Sequence, residues 1–84
     1  MNWFVYILQC RDNSFYIGIT NDIPKRIILH NSGKGSKYVR SKLPAKLIYS
    51  EEYNSKSEAR KREIQLKGWT RNKKKLLIEG KLFK

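Results

Sequence analysis

The sequence is poor in cysteine, in acidic residues and in long apolar runs. Cys10 is the single cysteine in 84 residues, so neither an internal disulfide nor a zinc site built from cysteines can form, and we expect this thiol to be a small buried hydrophobe. No apolar run approaches the roughly 18 residues of a transmembrane helix, and the N-terminus lacks the basic stretch and cleavage site of a signal peptide. These absences predict a soluble protein of the reducing cytoplasm.

The scarcity of acidic residues leaves a strong positive charge. Seven Asp and Glu stand against nineteen Lys and Arg, which gives a formal net charge of +12. Because self-repulsion of this size destabilises a compact chain, we expect a polyanionic partner, with DNA before RNA. A membrane surface fits poorly, since the basic stretches lack a wide apolar face. The length predicts a single domain over 1–84 with one small core.

Residues 3–20 hold two apolar runs, WFVYILQC and FYIGIT, with the polar stretch RDNS between them. Branched and aromatic runs bounded by Asp, Asn and Ser are typical of a β-hairpin. Gly18 interrupts the second run, and a glycine inside a strand marks a bulge or a close approach by a ligand or another backbone. On the simplest interpretation, Tyr6 and Tyr16 are core aromatics with hydroxyls at the sheet edge.

The same hairpin carries a family motif. Val5–Ile7 and Tyr16–Gly18 together resemble the motif of the GIY-YIG nucleases, with valine where the first glycine stands in that motif. Arg26, His30 and Glu63 follow at the spacing that the family has. The resemblance spans nearly the whole chain and is nearest to small stand-alone bacterial members of unassigned role. It implies an α/β fold, with a three-stranded antiparallel sheet flanked by about three helices.

The stretch after the hairpin predicts a short helix followed by a loop. Asn21 or Asp22 can cap a short helix that runs from about 24 to 30 and ends near Gly33. Residues 31–44 contain glycine, proline, serine and basic residues without periodicity, which predicts a loop.

The second half of the chain predicts one strand and two helices. Period-two spacing indicates a strand over 45–53, and a Ser55–Glu58 capping box predicts a helix from about 56 to 67. Thr70 can cap a final helix that stops at Gly80. The alternating residues of the strand are Leu47, Tyr49 and Tyr53.

Glu63 lies on the stripe of the predicted 56–67 helix that faces the core. Ala59, Glu63 and Leu66 follow the i, i+4, i+7 spacing, and an acidic side chain there is costly to bury unless it is paired. A salt bridge to Arg60, Lys67 or another basic residue would satisfy it without any function. The family resemblance implies instead that Glu63 is a metal ligand.

The resemblance implies metal-dependent hydrolysis of phosphodiester bonds in DNA, as in an endonuclease of DNA repair or processing. Glu63 would hold one divalent ion, Mg²⁺ or Mn²⁺, and Arg26 would contact the scissile phosphate through two hydrogen bonds. Tyr6 and Tyr16 would line the side of the attacking water, and either one could accept or relay its proton. His30 would orient a tyrosine or a substrate oxygen, or transfer a proton; the alternative is a surface histidine.

Two basic segments are candidates for nucleic-acid binding: the 31–44 loop and the first turns of the last helix. Cations at a helix N-terminus oppose the macrodipole, so contact with a phosphate backbone explains them better than helix stability does. A tyrosine in the loop is available to stack on a base, and a solvated surface is the alternative. Asn72 is the nearby match to a further polar position of the family. The candidates are Lys34, Lys37, Tyr38, Arg40, Lys42, Arg71, Asn72, Lys73, Lys74 and Lys75.

A shared active site requires Tyr6 and Tyr16 on one face of the hairpin. A simple two-residue turn would put them on opposite faces, because a shift of one residue reverses every side chain. We therefore predict a three- or five-residue loop, or a bulge, that pairs Tyr6 near Thr20 and Leu8 near Gly18.

Two other function classes stay open. A binding module without turnover, on DNA or RNA, would use the same basic segments and would not need Mg²⁺. A structural protein of a ribonucleoprotein particle explains the charge but not the inward Glu63. Because we find no separate DNA-recognition domain, we expect a protein partner or the shape of the DNA to supply specificity.

Overall fold

The computed structural model describes residues 2–81, which form three strands and four helices around one antiparallel sheet. The strand order is β2-β1-β3, so β1 is the central strand. The elements are β1 (Trp3–Gln9), β2 (Phe15–Thr20), α1 (Ile23–Asn31), α2 (Lys37–Arg40), β3 (Lys46–Tyr53), α3 (Lys56–Lys67) and α4 (Arg71–Ile78). The predicted α/β fold with a three-stranded antiparallel sheet is confirmed.

Within residues 2–81, no helix combines the length and the apolar character that crossing a membrane requires.

The 31–44 segment, predicted to be a loop, contains the short helix α2. The Ser36 side chain caps it by accepting a hydrogen bond from the Tyr38 backbone N–H at 3.1 Å, and Val39 is fully buried. A helix of four residues is too short to establish a 3.6-residue period, so periodicity could not reveal it. This is the fourth helix, beyond the three that we expected.

The hairpin places both tyrosines on one face, but its register differs from the predicted one. Tyr6 lies opposite Gly18, and Leu8 lies opposite Tyr16. The predicted pairing of Tyr6 with Thr20 and of Leu8 with Gly18 is therefore wrong by two residues. Since a shift of two residues keeps every side chain on its face, the shared face is confirmed.

The turn itself explains the difference in register. The Cys10 N–H donates to the Ser14 carbonyl at 2.9 Å, which leaves the three residues 11–13 as the loop. Asn13, its last residue, has a φ of 69°. A left-handed residue at the end of a three-residue loop is a common hairpin geometry, and Asn tolerates it. The turn therefore centres on Asp12, whereas the predicted register centres it on the following residue.

A β-bulge interrupts the pairing between β1 and β3. Ile7 pairs with Tyr49, but the next residue, Leu8, pairs with Leu47, so Ile48 is an extra residue in β3. Ile7 and Leu8 are neighbours in β1, so their side chains point to opposite faces of the sheet. Their partners Tyr49 and Leu47 therefore lie on opposite faces as well. The strand that their period-two spacing indicated is confirmed, but the bulge puts these two residues on opposite faces.

Helix caps follow the predicted signals closely. Three side chains each accept a hydrogen bond from the backbone N–H three residues ahead. The capping residues are Asp22 for α1, Ser55 for α3 and Thr70 for α4. Gly33 follows α1 with a φ of 84°, and its N–H donates to the His30 carbonyl at 3.1 Å. This glycine stop fixes where the chain leaves the turn that carries His30.

Each face of the sheet has its own small core. The first core contains Val5, Ile7, Ile17, Ala59 and Leu66, and side chains near α4 pack against it. The second core contains Tyr6, Leu8, Cys10, Val39 and Ala45, with Ile27 of α1 packed against it. Cys10 is buried, as expected. Tyr6 places the centre of the candidate site on the second face, whereas α3, which carries Glu63, packs through Ala59 and Leu66 into the core of the first face.

A charged network fastens α3 to the edge strand β3. Arg62 donates from Nε and a terminal nitrogen to the two oxygens of Glu51, at 2.8 and 3.0 Å. The hydroxyls of Tyr49 and Tyr53 also donate to this carboxylate. Burial raises the pKa of Glu51, but the hydrogen bonds from Arg62, Tyr49 and Tyr53 outweigh burial and hold the pKa below its ordinary value.

We expect Glu51→Gln to lower the free energy of unfolding at pH 7 by about 1–3 kcal/mol, since it breaks a half-buried charged network. Because the folded state lowers the pKa of Glu51, its carboxylate contributes fully above the ordinary value of 4.5. That contribution is lost as the pH falls through the folded-state pKa. Urea unfolding at pH 7 and at pH 3 measures how far the free energy of unfolding falls on acidification. This decrease should be smaller for Glu51→Gln than for wild type, with the exposed Glu52→Gln as control. Equal acid losses in Glu51→Gln and wild type would contradict this account.

Candidate active site

Tyr6 lies at the centre of the second sheet face, and β2 is shaped to receive it. Its side chain is 2% exposed and stands opposite Gly18. A Cβ atom at Gly18 would lie 2.6 Å from the Tyr6 hydroxyl oxygen and 2.7 Å from Cζ. Only glycine leaves room for the ring in this position. The glycine that interrupts the apolar run therefore accommodates the Tyr6 side chain.

His30 reaches Tyr6 from the last turn of α1. Its Nε2 lies 3.0 Å from the Tyr6 hydroxyl oxygen, and the side chain is buried. Tyr16 completes the group: its ring centre lies 6.4 Å from that of Tyr6 and 5.3 Å from that of His30, edge-on to the imidazole. The interpretation of His30 as a surface histidine is wrong. The three side chains form one cluster, which we call the Tyr6–His30–Tyr16 cluster.

Gly35, which lies in the segment predicted to be a basic loop, is a further member of this site that we did not predict. A Cβ atom at Gly35 would lie 2.9 Å from both Cε1 and Cγ of His30, and closer still to Nδ1. The backbone of Gly35 therefore packs directly against the imidazole ring. A glycine five residues after a candidate histidine was the available signal, but only the folded loop gives it meaning.

The charges of Arg26 and Glu63 act on the cluster. Burial raises the pKa of Tyr6 well above its ordinary value; Tyr16 adds to the rise, Arg26 opposes it, and Glu63 adds to it. Burial lowers the pKa of His30, and Arg26, one turn earlier on α1, lowers it further. Tyr6 is therefore a neutral phenol and His30 a neutral imidazole at pH 7.

Glu63 lies on the buried stripe of α3 with Ala59 and Leu66, as the spacing predicted. Its carboxylate oxygens lie 3.6 Å from Arg60 Nε and 3.4 Å from Lys67 Nζ. These are long ion pairs, and the Arg60 and Lys67 side chains are 65% and 55% exposed. Both salt bridges considered for Glu63 thus exist, and the side chains of both cationic partners are more than half exposed.

The donor set limits the kind of metal that this site suits. Among the side chains of residues 2–81, no group of three or more His, Cys, Asp and Glu is placed to hold an ion. A single carboxylate suits Mg²⁺ or Mn²⁺, since a hard ion keeps several waters and takes further oxygens from a phosphate. Glu63 fits that role, and the described residues do not suit a metal that is coordinated by protein ligands alone.

A cleft of about 360 Å³ opens beside Tyr16, along the edge of β2. Tyr38 stacks on Tyr16 with ring centres 6.2 Å apart, and Lys42 Nζ lies 4.1 Å from the centre of the Tyr38 ring. The residues that line the cleft are Phe15, Tyr16, Ile17, Tyr38, Lys67 and Lys74. The cleft thus joins the Tyr6–His30–Tyr16 cluster to aromatic and cationic side chains.

The other predicted nucleic-acid contacts are spread over several surfaces. Lys34 lines a different cavity, of about 560 Å³, together with Arg26. Arg71 lies over the Phe15 ring at 4.2 Å and Lys73 over the Trp69 ring at 4.2 Å, so these two cations also cover aromatic surface. The remaining candidates are exposed: Lys37, Arg40, Asn72 and Lys75.

We expect Gly18→Ala to destabilise the protein by about 1–3 kcal/mol, because the added methyl group must displace the Tyr6 ring in a packed core. The matched control is Gly68→Ala, where a Cβ atom would meet only the Gln65 carbonyl at 3.5 Å. Thermal and urea unfolding of both variants measure the difference. A Gly18→Ala protein as stable as Gly68→Ala would contradict the close approach of Tyr6.

Comparisons with known proteins agree with this architecture. Residues 2–76 match the family described as the GIY-YIG catalytic domain. The UPF0213 protein of Bacillus pumilus is 50% identical over 78 residues, covering 93% of this chain and 80% of the relative. The UPF0213 protein YazA of Bacillus subtilis is 48% identical over 80 residues, which is 95% of this chain and 81% of YazA.

Solved structures show the same relationship. The NMR structure of a UPF0213 protein from Bacillus halodurans superposes with a TM-score of 0.62 at 44% identity, over 96% of this chain and 86% of that one. The NMR structure of the protein EF2693 from E. faecalis superposes with a TM-score of 0.65 at 36% identity, over 95% of this chain and 85% of that one. The chain belongs to the GIY-YIG family.

Proposed function

We propose that this protein is an endonuclease that hydrolyses phosphodiester bonds in DNA with the help of one divalent ion. The family supplies the reaction class, since the GIY-YIG domain is a nuclease family. The observation that carries the proposal for this chain is the buried Tyr6–His30–Tyr16 cluster, with the charges of Arg26 and Glu63 acting on it. DNA repair or processing in the cytoplasm is the setting that we propose.

Arg26 is suited to hold the scissile phosphate. Its positive charge acts on both Tyr6 and His30, and a planar guanidinium can donate two hydrogen bonds to phosphate oxygens. Because the pentavalent transition state carries more negative charge on those oxygens than the ground state, this contact accelerates the reaction.

Glu63 is the residue that would hold Mg²⁺ or Mn²⁺. The bound ion would polarise the phosphate and stabilise the departing oxygen. Arg60 and Lys67 neutralise the carboxylate in the free protein, and both have exposed side chains that can turn away from it. Lys67 also lines the cleft beside Tyr16, where its ammonium group can contact a neighbouring phosphate.

The two tyrosines lie where the attacking water would approach. Burial keeps Tyr6 protonated at neutral pH, so its hydroxyl can orient the water or donate to a phosphate oxygen. Tyr16 borders the open cleft, so its hydroxyl can accept the proton of the attacking water while it passes its own proton to solvent in the cleft. The cleft offers Tyr38 for stacking on a base and lysines for the backbone. A protein partner or the shape of the DNA would supply specificity.

A second candidate function is a non-catalytic module that binds DNA or RNA. It is favoured by the ion pairs of Glu63 with Arg60 and Lys67, which give the buried carboxylate a structural role. Such a module would bind through the same basic surface with no need for Mg²⁺. Metal dependence separates the two functions.

Cleavage of labelled single-stranded, duplex and branched DNA, with RNA alongside, tests the proposal. We expect turnover in Mg²⁺ or Mn²⁺ but not in EDTA. Glu63→Gln and Arg26→Lys should each lower the rate by about 10²–10³-fold, the usual cost of losing one group that stabilises the transition state. The exposed Glu79→Gln serves as control.

Binding without cleavage under all these conditions would favour the non-catalytic module. Undiminished cleavage by Glu63→Gln would remove the metal role of that residue and contradict the proposed site.

The salt dependence of binding tests the cleft. If Lys74 neutralises one phosphate, Lys74→Gln should lower the slope of log K against log salt by about 0.9 for duplex and about 0.7 for single strands. Lys61→Gln, on the exposed surface of α3, is the matched control and should change the slope less. Fluorescence anisotropy in EDTA gives both slopes without cleavage. Equal slopes for Lys74→Gln and wild type would place the nucleic acid elsewhere.

A further inference from the structure

The two nitrogens of His30 have different surroundings. Nε2 lies 3.0 Å from the Tyr6 hydroxyl oxygen. Nδ1 is buried and has no hydrogen-bond partner among the side chains and backbone of residues 2–81. A neutral imidazole carries one proton, so one nitrogen is a donor and the other an acceptor. The geometry around Nδ1 decides which is which.

Gly35 presents a C–H group to Nδ1. The direction in which a Cβ atom would extend from Gly35 leads to Nδ1 of the imidazole, and in glycine that direction is taken by an α-hydrogen. An α-hydrogen carries a small positive charge and can make a weak hydrogen bond to a lone pair. A proton on Nδ1 would instead meet this hydrogen head-on.

The cost of burial points the same way. Buried N–H groups without an acceptor are rare in proteins, whereas an acceptor left without a full partner is tolerated more often. If Nδ1 carried the proton, that donor would be buried without an acceptor. If Nε2 carries it, the proton lies on the hydrogen bond to Tyr6 and the bare Nδ1 faces the α-hydrogen of Gly35.

We infer that His30 in the free protein carries its proton on Nε2 and donates it to the Tyr6 hydroxyl oxygen, and that Gly35 is a positioning residue that maintains this tautomer. The inference deepens the proposed function by fixing the protons of its site. The tautomer itself can be measured whether or not the protein cleaves DNA.

This arrangement assigns a role to Tyr6. Since the Tyr6 oxygen accepts the hydrogen of His30, its own hydroxyl hydrogen must point away from the imidazole. Tyr6 can therefore donate to a phosphate oxygen or a water, and it cannot pass its proton to Nε2, which already holds one. The groups that face the pair are Arg26 on α1, Tyr16 on β2 and, acting on Tyr6, Glu63 on α3. Burial keeps both members of the pair neutral.

The test uses the fact that His30 is the only histidine in the chain. In uniformly ¹⁵N-labelled protein, the two ring nitrogens and their couplings to the ring hydrogens report which nitrogen is protonated. We expect one tautomer at pH 7.5, with the proton on Nε2 and exchanging slowly. A proton on Nδ1, or nitrogen shifts averaged between the two tautomers, would overturn the inference.

Two glycine variants test the role of Gly35. Gly35→Ala should move the imidazole out of its place, shift both ring nitrogens, and raise the pKa of His30 towards its ordinary value of 6.5. Gly68→Ala, a control far along the chain, should leave the His30 spectrum unchanged. A folded Gly35→Ala protein with wild-type ring shifts would contradict the positioning role. If this variant does not fold, the tautomer found in wild type still decides the inference.

Discussion

The hydrogen bond between Tyr6 and His30 is the contact on which the site depends. It joins the central strand to α1 across the second face of the sheet, and it is possible only because Gly18 leaves space for the Tyr6 ring and Gly35 leaves space for the imidazole. Two glycines therefore determine where two titratable rings meet. Because the pair is buried, its groups stay neutral at physiological pH and can act as directed donors and acceptors.

Several of the basic side chains that give the chain its positive charge lie against the faces of aromatic rings. Among residues 2–81, five Lys or Arg side chains lie over Tyr, Trp or Phe rings. The cations thus cover apolar surface while their charges remain near solvent. A polyanion can bind them without refolding the protein. These contacts stabilise individual cations and so offset part of the self-repulsion of a chain with a net charge of +12.

Much of this structure could be predicted from the sequence because local chemistry fixed it. The side chains of Asp22, Ser55 and Thr70 accept hydrogen bonds from nearby backbone N–H groups. Asp, Ser and Thr are preferred at helix N-termini, so the sequence predicts these caps. The buried stripe of α3 followed from its spacing. The common face of Tyr6 and Tyr16 followed from the requirement that both belong to one site. That requirement excludes every register in which the two strands are shifted by an odd number of residues.

What could not be predicted depended on tertiary geometry. The turn centred one residue earlier because Asn13 adopts a left-handed conformation, and several residue types in that turn could have done so. The bulge at Ile48 lies within the short apolar run Leu47–Tyr49, where the sequence gives no signal for an extra residue. Gly35 became significant only when the loop folded over His30. Arg71 was interpreted from its position on a helix, whereas the Phe15 ring that it covers lies on β2, far away in the sequence.

The central claim is that a metal at Glu63 and the Tyr6–His30–Tyr16 cluster form one active site. Mn²⁺ broadens the NMR signals of nearby nuclei, so it can be used to ask whether the metal binds beside His30. With an uncleavable DNA oligonucleotide bound, we predict that Mn²⁺ broadens the His30 ring signals in wild type, and that Glu63→Gln abolishes the effect. Sharp His30 signals in wild type, or equal broadening in the variant, would contradict the account.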